Sequence, residues 1–121
     1  MQIKGVSWVG VRHEKVEEVK EFYEKKLGLT KALEEREKDF AIFVMSDSTF
    51  FETLGPGNRL WDYAEEPLVA FKVESVAEAR KELEGRGVKF ISETMENTGI
   101  EWAVFEGPGG YNFMIQSSPG F

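Results

Sequence analysis

The sequence has no cysteine and only one histidine, His13, among its 121 residues. The first absence removes disulfides, thiolate metal sites and cysteine nucleophiles. The second leaves a Ser-His or Cys-His nucleophile system with little support, and His13 reads as a surface or helix-start residue. No apolar run approaches the ~20 residues that span a bilayer, so no membrane partner is expected. The opening residues Met1-Gln2-Ile3-Lys4 lack the apolar stretch of a secretion signal, which makes the cytoplasm the expected compartment. Basic residues are outnumbered, 15 against 22 acidic ones, for a net charge of −7. Such a surface repels phosphates, and nucleic acid is not an expected partner. Acidity of this size could favour a cationic ligand, but plain solubility is the favoured reading, because modest acidity is common in soluble domains.

What is present is one pattern stated twice. Val9 and Val11 lead into a helical period at Val16, Val19, Tyr23 and Leu27, stopped by Gly28. Val69, Phe71 and Val73 lead into a second, with Val76, Ala79 and Leu83 as its buried stripe and Gly85 and Gly87 at its end. Gly28 and Gly87 are 59 residues apart, Val9 and Val69 are 60 apart, and Glu52 and Met114 are 62 apart. Ser75 and Glu78 form a capping box at the start of the second helix. Strands are expected over 3–12, 31–37, 40–45 and 48–54, then over 68–73, 88–95, 100–106 and 111–116. Turns are expected at Asp47-Ser48, at Glu96-Asn97-Thr98-Gly99 and at Gly107-Pro108-Gly109-Gly110. The last is a hairpin rather than a phosphate loop, because it opens no helix. The reading is a single α+β domain over 1–121. It is built of two βαβββ modules, about 1–54 and 67–121, joined by a linker over 55–66.

This order, with FYEKKLGL at 22–29 and FEGPGGYNFMI at 105–115, resembles the vicinal oxygen chelate superfamily. That group includes glyoxalase I, extradiol dioxygenases, fosfomycin-resistance enzymes and bleomycin-resistance proteins. The resemblance implies that the modules form a cup-shaped mixed β-sheet whose metal enzymes carry ligands on inward-facing strand positions. The first strand of each half usually supplies a His, Gln or Glu; here the matching residues are Trp8 and Leu68. The last strand usually supplies a Glu; Glu52 matches, and Met114 stands at the second position. Indole, isobutyl and thioether groups are not ligands for Zn²⁺, Mn²⁺ or Mg²⁺, and one carboxylate does not hold such an ion. No metal or other cofactor is therefore expected.

Strand alternation places Trp8, Gly10 and Arg12 on the cup face, with Leu68, Ala70 and Lys72 as their counterparts. Phe50, Glu52 and Leu54 join them from one last strand, and Asn112, Met114 and Gln116 from the other. The candidate ligand-binding set is Trp8, Arg12, Phe50, Glu52, Lys72 and Met114, with no catalytic residue assigned. Glu52 has three readings: it binds a ligand cation, it pairs with Arg12 or Lys72, or it acts as a base with a raised pKa. Trp8 either stacks on a ligand or plugs the space a metal would use. Trp102 reads as core. Trp61 and Tyr63 read as a flap over the cup or as part of a subunit interface.

The expected function is a metal-free small-molecule binding protein resembling the bleomycin-resistance branch, which pairs as homodimers and sequesters a cationic drug. The alternative is a glyoxalase-like lyase or isomerase, or a dioxygenase-type enzyme, with ligands from non-standard positions. A third reading is a structural or regulatory dimer whose cup is filled by its own side chains.

Overall fold

The computed structural model describes residues 1–35 and 39–118. The chain divides into two compact units, Trp8–Leu68 and a second made of Met1–Ser7 with Val69–Phe121. The linker therefore belongs with the first half, and the first seven residues belong with the second. Main-chain bonds explain the latter: the Lys4 amide donates to the Lys72 carbonyl at 2.8 Å, and the Lys72 amide donates to the Gly5 carbonyl at 2.8 Å.

The first half runs β1 (Val6–Arg12), α1 (Val16–Glu21), a π-helical turn (Phe22–Lys26), β2 (Thr30–Glu35), β3 (Phe40–Val44) and β4 (Phe50–Leu54). Residues 36 and 37 of the strand expected over 31–37 lie outside the described residues. The strand order in this half is β2-β3-β4-β1, with β1 parallel to β4. The α-helix is shorter than the period over 14–27 predicts. Lys15 offers no side-chain cap, and from Phe22 the turn widens, with the Leu27 amide bonded back to the Phe22 carbonyl at 3.0 Å. Tyr23, in the widened turn, packs edge-on against Phe51 at 4.8 Å between centroids, and its hydroxyl lies 3.0 Å from His13 Nε2. Gly28 follows at φ +70°, the left-handed stop its position implied.

The second half runs β5 (Leu68–Lys72), α2 (Val76–Gly85), β6 (Met95–Asn97), β7 (Ile100–Glu106) and β8 (Asn112–Ser117), in strand order β5-β8-β7-β6. Both halves are thus βαβββ, and the fold is α+β. Ser75 caps α2 by accepting from the Glu78 amide at 3.2 Å. Val76 and Ala79 of α2 pack on Val73, Ala103 and Ile115, with Leu83, Phe90 and Phe105 around them. The expected strand over 88–95 is the main departure. Regular pairing is confined to Met95–Asn97, beyond a single bridge between Phe90 and Phe105. The Ser92 hydroxyl accepts from the Val104 amide at 2.8 Å, in the place of a main-chain carbonyl, and so interrupts the ladder. Glu96 and Asn97, expected in the turn, are consequently the paired residues.

Register carries the repeat into three dimensions. Gly10 stands opposite Glu52 in the first half, and Ala70 opposite Met114 in the second. The spacing of 60 and 62 residues read along the chain is therefore a spacing between equivalent places on two parallel strand pairs.

Candidate binding site

The site is built on the β1–β4 pair. Gly10 faces Glu52 across the ladder, and Trp8 lies one step along the same face. The indole lies over Gly10 so closely that a β-carbon there would come within 2.1 Å of its six-membered ring. Glycine at position 10 is thus what admits the ring. The indole Nε1–H then donates to Glu52 Oε1 at 3.0 Å. The second carboxyl oxygen, Oε2, accepts from Asn58 Nδ2 at 3.1 Å. Trp8 and Glu52 are only 4% and 7% exposed.

The electrostatics follow from that enclosure. Burial disfavours the charged carboxylate and pushes the Glu52 pKa up to about 7, against the smaller downward pull of the Trp8 and Asn58 hydrogen bonds. Both donors are neutral. Arg12, one of the cations expected near Glu52, donates from Nη1 to the Trp61 carbonyl at 3.0 Å, with its guanidinium 4.6 Å above the Trp61 ring. Phe50, half-buried, pairs with Trp8 on one side and with Val44 on the other. Trp8, Arg12, Phe50 and Glu52 are thus brought onto one strand pair.

Lys72 and Met114 belong to the other unit. Met114 is fully buried between Ala70 and Val104, and Lys72 pairs with Gln116. Gln116 accepts from the Ser7 hydroxyl at 2.6 Å. Trp102 is half-buried on β7, paired with Met95 and Gln116. Trp61 and Tyr63 form a 3₁₀ turn in the linker. His13 lies at the end of β1, where burial holds its imidazole below, and the Tyr23 phenol above, the ordinary values.

Asn58 is the residue that sequence reasoning passed over. It follows Gly55-Pro56-Gly57 and reads as a turn former, which it is: its amide bonds to the Gly55 carbonyl at 3.0 Å, and its Oδ1 accepts from the Leu60 amide at 2.9 Å. Nothing local reveals that its remaining amide hydrogens reach a carboxyl six residues back.

A divalent ion does not fit these residues. Of the four strand positions that would ligate it, Trp8, Leu68 and Met114 offer no hard donor, and both Glu52 oxygens are occupied by N–H groups. Among the described residues no three His, Cys, Asp or Glu side chains cluster to hold a metal.

The sequence matches the model of the glyoxalase/bleomycin resistance protein/dioxygenase superfamily over residues 5–115. The chain belongs to that superfamily. No curated protein matches it. Among solved structures, it is similar to the methylmalonyl-CoA epimerase of Mycobacterium tuberculosis, at 16% identity and a TM-score of 0.74, covering 96% of this chain and 89% of that one. A superfamily member from Vibrio splendidus gives 12% identity and a TM-score of 0.69, with 93% and 97% coverage. The NAD-dependent benzaldehyde dehydrogenase of Legionella pneumophila gives 18% and 0.72, with 92% and 97% coverage. At these identities the likeness shows the glyoxalase/bleomycin-resistance-like fold. Among the described residues no helix is long and apolar enough to cross a membrane.

Proposed function

We propose that this superfamily member is a metal-independent small-molecule binding protein whose anchoring group is Glu52. The observation that carries the reading is a buried carboxyl whose hydrogen-bond partners are two neutral N–H donors, Trp8 and Asn58. Among the described residues no cation compensates a carboxylate in that setting, and an incoming ammonium or amidinium supplies the charge through a bond about twice as strong as a neutral one. Phe50, half-buried next to Trp8 on the strand pair, offers apolar surface to the rest of such a molecule. The ligand class is therefore an aromatic cation. Titration with tryptamine, followed by isothermal titration calorimetry, should show saturable binding, with indole-3-acetate much weaker. Glu52→Gln should weaken tryptamine at least tenfold, since losing about 1.4 kcal/mol is a factor of ten. Equal binding of the anion, or an unchanged affinity in Glu52→Gln, overturns the reading.

One observation favours a second reading. A carboxyl titrating near pH 7, held at both oxygens, has the poise of a general base. Epimerases are among the proteins of similar fold. Under that reading the chain exchanges the α-proton of an acyl thioester with solvent. Incubation with methylmalonyl-CoA in deuterated water, followed by proton NMR, separates the two. Glu52-dependent loss of the α-proton signal makes it an enzyme, and its absence together with tryptamine binding leaves the binding protein.

A further inference from the structure

The linker is fastened over β1 and β4 at two points of different chemistry. Asn58 reaches Glu52 Oε2, and the Trp61 carbonyl and ring receive Arg12. Between these points the segment is organised by its own main chain: the Asn58 amide bonds to Gly55, the Leu60 amide to Asn58 Oδ1, the Trp61 amide to the Asn58 carbonyl and the Tyr63 amide to Leu60. Leu60 and Ala64, 6% and 2% exposed, seat the far end in the core. The near end is different. Pro56 and Gly57 are exposed, and Gly57 has nothing closer to its would-be β-carbon than Asp39 Cβ at 3.9 Å. Gly55 itself is buried and its amide donates to the Asp39 carbonyl at 2.7 Å, so the solvent-facing part of the strap beside Asn58 is Pro56-Gly57.

We propose that the Asn58 carboxamide is a built-in surrogate for a ligand's N–H group, so that a ligand reaches Glu52 by displacing it. The proposal rests on the reading of Glu52 as the anchor. It names the selection the site makes. A hydroxyl or ether ligand gains nothing over the amide it removes, because a neutral donor is exchanged for another neutral donor or for none. An ammonium or amidinium replaces a neutral bond by a charge-assisted one, and displacement then runs downhill. Asn58 acts as a threshold that neutral molecules of the same shape fail to pass. The Arg12–Trp61 contact keeps the rest of the strap in place while the amide leaves, so the linker yields at one end only.

The test compares tryptamine binding in the intact protein and in Asn58→Ala by isothermal titration. Removing the competitor should tighten tryptamine about fivefold, the size of one net hydrogen bond. It should also admit the neutral isostere 3-propylindole, which the natural chain should exclude. Weaker or unchanged tryptamine binding in Asn58→Ala overturns the surrogate role. If Glu52→Gln still abolishes binding in that event, the anchor reading stands alone; if Glu52→Gln binds normally, the anchor reading itself has failed. A second measurement needs no variant at this position. Saturating tryptamine should speed hydrogen exchange at the Leu60 amide, whose acceptor is Asn58 Oδ1, and an unchanged or slower rate counts against displacement.

Discussion

The two halves place different chemistry on one scaffold. In the first, the strand pair carries an indole, a glycine and a carboxyl: Trp8, Gly10 and Glu52. In the second, the equivalent places hold Leu68, Ala70 and Met114, which are at most 1% exposed. Leu68 and Met114 need no hydrogen bonds and fill their volume with ordinary dispersion contact. Glu52 needs every donor it can reach, and it obtains one from its own sheet face and one from the linker. At the equivalent places the second half carries no polar side chain that needs a donor; its buried polar pair, Ser7 and Gln116, lies elsewhere on the strands and is satisfied internally. At these places one half is packed with apolar side chains, and the other carries a buried carboxyl held by two donors. The comparison teaches that a duplicated fold keeps its register while the side chains at equivalent places diverge in chemistry.

The largest expected effect comes from forcing the halves to match. Met114→Glu would bury a carboxyl between Ala70 and Val104 without the donors that Glu52 has, and it should destabilise by about 3–5 kcal/mol. Urea unfolding measures it, and a cost below about 1 kcal/mol would mean that the second half holds a carboxyl more readily than the first.

The reverse change concerns pH. Glu52 has a native pKa raised from 4.5 to about 7. Below pH 4.5 both folded and unfolded chains keep the proton, so burial of the neutral acid carries no charge penalty. Between 4.5 and 7 the unfolded chain ionises while the native one stays protonated, and stability falls as pH rises. Above 7 the full penalty applies, on the order of 3 kcal/mol. Glu52→Gln removes this slope, as the second half already does. The variant should match the natural chain at pH 4.5 and exceed it by a few kcal/mol at pH 8, read from urea midpoints at each pH. Parallel curves for the two proteins would break the assignment.

A smaller effect tests the glycine. Gly10→Ala places a methyl group where the indole lies and should cost about 2 kcal/mol by overpacking. Combining it with Trp8→Leu recreates the arrangement of the second half, and most of that loss should be recovered. Additive losses in a double-mutant cycle would show that the ring and the glycine are independent.

Much of this was legible in the chain. Apolar alternation and the two glycine stops placed the βαβββ order, because strand and helix periods are local consequences of backbone geometry. Register then made Glu52 and Met114 equivalent, as the 62-residue spacing implied. The widened turn at Phe22–Lys26 was not legible, since a π-turn has the same apolar spacing to the eye as one more α-turn. The early end of pairing near Ser92 was hidden because a hydroxyl, rather than a breaker residue, ends it. At the site, strand facing put Trp8 and Glu52 on one surface. It did not show that they would bond to each other, nor that Asn58 would complete the carboxyl. Both depend on side-chain reach across non-adjacent segments, which no pattern along the chain encodes.

The indole seated on Gly10 also constrains the route by which such a site arises. A β-carbon at position 10 and the indole in its present place compete for the same space. A lineage starting from a small side chain at 8 reaches the present pair at lower cost if the β-carbon at 10 is lost first. Once the ring is in place, regaining that β-carbon alone carries the overpacking cost of about 2 kcal/mol. The order of the two changes therefore has an energetic bias. A glycine that weakens its strand slightly is what lets the larger substitution be accommodated without strain.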